Sequence, residues 1–269
     1  MILERVISGV IAVPLVLGII LYGHPWLFFI LITFIALAAA YEYFAMIANT
    51  GVNGFPIEGL ALSFILLTGY FFEPRLLQFF VFLIPLTLFP VWFFREKNVR
   101  VAIDSIAYTL FGIFYTAGLG GYFLLIGNFE GGRQMIVFLL LVIWAGDIMA
   151  YYWGKKFGDQ KLIEVVSPNK TIAGAVANVA GTLIAASLAG ILFFNEIPLI
   201  HCLIVAFICG IIGQFGDLAE SLIKRNCQVK DSGTLIPGHG GVLDRIDSLL
   251  FAGPAFYCYY LLFLAADFI

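Results

Sequence analysis

The feature that most limits how this chain can fold is the recurrence of long apolar runs. Nine of them, at about 6–23, 27–48, 57–72, 76–94, 103–127, 134–153, 172–194, 197–221 and 244–266, are separated by polar breaks. Each is near the ~20 residues that carry an α-helix across a ~30 Å hydrocarbon layer. A soluble domain of 269 residues has too little interior to hide so much apolar surface, since 62% of the residues are hydrophobic and mean hydropathy is +1.04. The expectation is an all-α polytopic protein with about nine transmembrane helices, forming one integral membrane domain over 1–269. The run 57–72 is short and fits a tilted or re-entrant segment.

Charge sets the expected orientation. With the N-terminus inside, 12 Lys and Arg fall on the inner side and only Arg75 and Arg133 on the outer. The positive-inside rule then places the N-terminus in the cytoplasm and the C-terminus outside. Of the 17 Asp and Glu, 13 also fall on or near the inner side, so the chemistry is expected to face the cytoplasm, where soluble nucleotides are found. Residues 1–23 mimic a signal peptide, but no small-residue cleavage site follows, and a retained first helix is expected. The four cysteines form no CxxC pair and no His stands at zinc spacing, which points away from a disulfide framework or a zinc site.

Polar groups are unevenly distributed. Residues 1–100 read mainly as scaffold spans and 134–269 as a catalytic half, with two long inner loops at about 154–171 and 222–243. Segment 221–247 packs four basic residues, three Asp, one His and four Gly into 27 positions. Charged groups are costly near lipid, so such a cluster at a membrane boundary is a functional-site hypothesis by default. On the eighth span Gln214, Asp217, Ser221 and Lys224 fall at helical spacing and form one polar stripe, flanked by Glu220. Asp244 and Asp247 share a face at the start of the ninth span, where the helix dipole favours carboxylates. With Asp217 or Asp231 opposite, they would make an oxygen-only site of the kind that suits Mg²⁺; the plainer alternative is a helix-dipole pair with Arg245 as salt-bridge partner. Between the two helix ends, a glycine loop flanked by Lys224, Arg225 and Lys230 has the composition to cradle phosphates. His239 in that loop is either an acid, base or phosphate donor, or a turn cap.

Two further elements extend the candidate site. In 167–178, SPNKTIAGAVAN, Thr171 precedes a helix whose first amides would face the inner interface, and Lys170 adds charge there. Along that helix Thr171, Gly174, Ala175, Asn178 and Gly181 form a small, polar stripe that reads first as helix packing. Asp147 lies about six residues, roughly 9 Å, inside the end of the sixth span, where a carboxylate either binds metal or orients a lysine. Glu42 is similarly deep in the second span and reads as a possible cavity wall.

These residues resemble a known family. Segment 221–247 is similar to the signature of phosphatidate cytidylyltransferases (CDP-diacylglycerol synthases), matched by Ser221, Lys224, Arg225, Lys230, Asp231, Gly233, Pro237, His239, Gly240, Gly241, Asp244, Arg245 and Asp247. Ser167, Pro168, Lys170, Thr171 and Gly174 resemble a second family element, in which Ala173 stands where Glu is usual. Asp147, in WAGD, also resembles a family position. The resemblance implies transfer of the cytidylyl group from CTP to phosphatidate, giving CDP-diacylglycerol and pyrophosphate for phospholipid biosynthesis. It further implies Mg²⁺, with room for a second cation, a homodimer, a bacterial inner-membrane location and no nucleic-acid partner. On this reading Lys170, Lys224, Arg225, Lys230, His239 and Arg245 carry catalysis. Ser221, Gly240, Gly241, Thr171 and Asn178 bind substrate, and Asp217, Asp244, Asp247, Asp231 and Asp147 serve the metal. A secondary transporter would instead place ionisable groups near the midplane within internal repeats. A CDP-alcohol phosphotransferase would show D-G-x-x-A-R, and neither pattern is present.

Overall fold

The structure, a computed structural model, describes residues 2–52, 54–95, 98–194, 197–236, 238 and 240–265, with the backbone alone for 2–9 and 11. In chain order the helices are α1 (Ile2–Tyr22), α2 (Pro25–Ala48), α3 (Pro56–Phe72), α4 (Leu77–Arg95), α5 (Ala102–Ile113), α6 (Tyr122–Gly127), α7 (Gly132–Phe157), α8 (Ile172–Leu192), α9 (Leu199–Asn226) and α10 (Leu243–Tyr259). A π-helical turn, Phe114–Gly118, follows α5. The expected apolar runs are helical where described, with 103–127 divided among α5, the π-helical turn and α6, and 244–266 between α10 and a second π-helical turn, Tyr260–Leu264. The reason is that a helix satisfies its own backbone N–H and C=O groups, which lipid cannot do. Among the described residues, seven segments are long and apolar enough to cross a membrane, while Ala12–Tyr22 and Pro56–Phe72 are shorter apolar helices.

The departure from an all-helical chain lies in the long loop before α8. Strand β1 (Lys161–Ile163) pairs antiparallel with β2 (Ser167–Thr171), with Lys161 opposite Thr171. The hairpin delivers the chain directly into α8, whose N-cap is Thr171; its Oγ1 accepts from Gly174 N at 3.1 Å. Lys170 therefore sits on a paired strand rather than on a free loop.

The described chain divides into two compact units, Met1–Leu125 with Lys224–Arg245, and Ile126–Ile223 with Ile246–Ile269. The segment Lys224–Arg245 thus groups with the N-terminal helices. In that first unit α2 is central, and Ala36, Ala39, Ala40 and Tyr43 are fully enclosed. Tyr43 donates its hydroxyl to Tyr108 O at 3.1 Å, and Tyr70 donates to Gly118 O at 2.9 Å in the π-helical turn. Both phenols thus find partners in an apolar interior, where an unpaired hydroxyl is costly.

In the second unit α7 and α8 lie closely side by side. A Cβ on Gly181 would come 2.8 Å from Met149 Cγ, and one on Gly146 would come 2.7 Å from Thr182 Cγ2. The small-residue stripe of α8 is therefore a packing face, since dispersion rather than hydrophobic exclusion holds helices together in lipid. Helix α9 approaches α8 at Gly210 and α10 at Gly216, where an added Cβ would meet the Asp247 carbonyl. That close approach sets Asp217 and Glu220 of α9 beside Asp247 of α10.

Candidate active site

Helices α9 and α10 of the second unit bring Asp217, Glu220 and Asp247 together, with one carboxylate oxygen from each lying within 4.8 Å of the others. Asp217 and Glu220 share a face of α9 because they are three residues apart. Asp247 lies in the first turns of α10 and accepts from Ser248 N at 2.7 Å. Lys170, at the end of β2, places its Nζ 2.6 Å from Asp217 Oδ1; the two side chains are 26% and 36% exposed. Three carboxylates repel one another strongly at such spacing, and one lysine offsets only part of that. The donor set is all oxygen and hard, which fits Mg²⁺ with waters or phosphate oxygens completing its shell.

Asp147 of α7 borders this cluster. Its Oδ1 accepts from Asn178 Nδ2 at 3.1 Å, and Asn178 Oδ1 accepts from Gln214 Nε2 at 3.3 Å. This chain of amides links α7, α8 and α9 and fixes which way the Asn178 side chain points. Asp147 is near enough to Asp217 and Lys170 to interact with both charges.

The first unit holds the glycine loop. Lys224 Nζ donates to Asp244 Oδ1 at 2.7 Å, with the side chains only 13% and 11% exposed. The other oxygen, Oδ2, accepts from Ser232 N at 3.1 Å and Gly241 N at 2.9 Å. Asp244, expected as a metal ligand, thus has both oxygens engaged by a lysine and two loop amides. Gly240 turns the loop with φ +84, a conformation that glycine adopts without steric cost, and its carbonyl accepts from Ile236 N at 3.0 Å.

The remaining expected residues are placed as follows. Ser221 is buried on α9, while Arg225, Lys230, Asp231 and Arg245 are exposed. Arg225 donates to Val229 O at 3.4 Å. His239 lies outside the described residues. Two residues emerge that the sequence reading left at the margin. Glu220 flanks the α9 stripe, and its three-residue spacing from Asp217 is the signal in the sequence. Glu42, rather than simply lining a cavity, is 2% exposed and accepts from Ser232 Oγ, Val242 N and Leu243 N at 3.1, 3.0 and 2.9 Å.

The model of the cytidylyltransferase family matches residues 3–263. A phosphatidate cytidylyltransferase of Bacillus subtilis (strain 168) is 33% identical over 264 residues, covering 94% of this chain and 96% of its own. A phosphatidate cytidylyltransferase of Synechocystis sp. is 32% identical, covering 97% of each chain. One of Brucella abortus is 44% identical over 162 residues, or 58% of each chain. A family match over nearly the whole length identifies this protein as a member of the cytidylyltransferase family.

Proposed function

We infer that this protein is a CTP:phosphatidate cytidylyltransferase, which converts CTP and phosphatidate to CDP-diacylglycerol and pyrophosphate. The observation that carries this reading is the near-full-length identity to proteins of that name. A phosphate oxygen of phosphatidate attacks the α-phosphorus of CTP, the bond to the β-phosphate oxygen breaks, and pyrophosphate leaves with the electron pair. A phosphate monoester is already anionic near neutral pH, so no strong base is needed. Catalysis is then mainly positioning and charge stabilisation.

The chain's residues divide that work. Asp217, Glu220 and Asp247 would hold Mg²⁺, and Mg²⁺ bound there supplies positive charge to the nucleotide phosphates. Lys224, Arg225 and Lys230 neutralise the departing pyrophosphate, with His239 as a further donor. Lys170 or Arg245 aligns the lipid phosphate. Ser221, Thr171, Gly240 and Gly241 shape the binding surface, and Asp147 orients Asn178. Asp244 holds Lys224 rather than binding metal, because its oxygens are committed to Lys224 Nζ and to loop amides. Asp231 is exposed and serves as a partner for a basic side chain.

In this reading the chain crosses the membrane nine times, with its N-terminus in the cytoplasm and its C-terminus outside. Its site opens to the cytoplasmic face of a bacterial inner membrane, and it works as a homodimer. The 12-to-2 partition of Lys and Arg supports that orientation. Pyrophosphate release by the purified protein in detergent tests the activity. It should require CTP, phosphatidate and Mg²⁺ together and stop on adding EDTA, while ATP, GTP and UTP fail to replace CTP. Release without phosphatidate, or in excess EDTA, would overturn it.

A further inference from the structure

Glu42 stands in the apolar stretch AAAYEYFAM of α2 and is enclosed. A carboxylate at such a depth is costly unless donors converge on it. Three do. Val242 N donates to Oε1, and Leu243 N and Ser232 Oγ donate to Oε2. Val242 immediately precedes α10 and Leu243 carries its first amide; no helical carbonyl can satisfy amides at this end, and a negative charge there is favoured by the helix dipole. Ser232 is the opposite end of the same loop. One carboxylate from α2 therefore ties both ends of the 232–243 loop, across 190 to 201 residues of sequence.

The tie continues to the basic centre of this same unit. Ser232 N donates to Asp244 Oδ2, Asp244 N donates to Ser232 Oγ at 3.3 Å, and Asp244 Oδ1 accepts from Lys224 Nζ. Two signature glycines face the Glu42 carboxylate. A Cβ on Gly233 would come 2.5 Å from Oε1, and one on Gly241 would come 2.5 Å from Oε2. The glycines therefore serve to admit Glu42 as well as to bend the loop.

We propose that Glu42 is a positioning residue for the reaction: it pins the 232–243 loop and, through Ser232 and Asp244, sets the Lys224 ammonium for the nucleotide phosphates. The last step rests on the proposed cytidylyltransferase reading; the hold on the loop does not. Glu42→Gln is the direct test. The amide keeps the shape but turns one acceptor into a donor that confronts the backbone N–H of Val242 or of Leu243. Amide hydrogen exchange of the purified variant should quicken in peptides covering 230–243 while those of α7 and α8 exchange as in the native protein. KM for CTP should rise roughly ten- to a hundredfold, the factor expected for losing one hydrogen bond to a charged group, with a smaller change in kcat.

A plain packing role would instead loosen the whole first unit and leave KM for CTP unchanged in the protein that remains folded. Unchanged loop exchange, or faster exchange with unchanged KM, overturns the proposal. If Glu42→Gln does not fold, Ser232→Ala, which removes one donor and keeps the carboxylate, is read by the same two measurements. A native protein that releases no pyrophosphate from CTP overturns the proposed activity instead, and the exchange comparison then decides the loop tie by itself.

Discussion

Asp247→Asn alters one charge in the Asp217–Glu220–Asp247 cluster and little else. The side chain is isosteric, and its Oδ1 can still accept the 2.7 Å bond from Ser248 N. With the three carboxylate oxygens within 4.8 Å of one another, each like-charged pair repels by roughly 3–4 kcal/mol at an effective dielectric of about 20. Lys170, 2.6 Å from Asp217, cancels part of this. The substitution removes two of the three repelling pairs, so the metal-free variant should gain stability on the order of a few kcal/mol. Mg²⁺ acts in the opposite sense. At about 100 times its Kd it stabilises the native protein by about 2.7 kcal/mol, and the variant loses most of that gain together with pyrophosphate release. Thermal unfolding in detergent, followed by tryptophan fluorescence at one fixed scan rate, measures both effects when Mg²⁺ is titrated into EDTA-treated protein. The variant should melt at or above the native temperature in EDTA and respond weakly to Mg²⁺. A variant that melts lower in EDTA, or that keeps the native Mg²⁺ response, refutes the assignment of these carboxylates to a cation.

Lys170→Met should destabilise the metal-free protein and strengthen its thermal response to Mg²⁺, because Asp217 loses its cation, while pyrophosphate release falls; a weaker response would count against the cluster's electrostatics. Lys224→Met removes the ammonium from a nearly enclosed Asp244, and should cost about 1.5–3 kcal/mol, read as a lower melting temperature along with lost CTP turnover. Gly181→Val forces a side chain against Met149 Cγ, 2.8 Å from the added Cβ. Overpacking of that kind costs about 1–3 kcal/mol and should appear as lower melting temperature and yield, with faster hydrogen exchange in α7 and α8.

Much of the site was legible because its signals are local. Asp217, Glu220, Ser221 and Lys224 lie on one helix, and spacing alone puts them on related faces. Asp244 and Asp247 also share a face, but spacing could not tell that Asp244 turns to Lys224 and the loop while Asp247 turns to the acids of α9. That choice depends on where α9 meets α10, which Gly216 permits. The hairpin before α8 was missed because β1 is three residues long and β2 contains Pro168, which weakens any strand signal. Glu42 was visible as an isolated acid, but its three donors are all contributed by a segment about 200 positions later.

By itself the sequence determined the membrane class, the helical spans and the signature residues, because hydropathy and helical periodicity are sums over neighbouring positions. Only the tertiary structure decided the partners: Lys224 with Asp244, Lys170 with Asp217, and Glu42 with the two ends of the glycine loop. The physical reason is the cost of burying charge. A carboxylate in an apolar interior must find its donors wherever folding brings them, and that distance in space has no counterpart in sequence spacing.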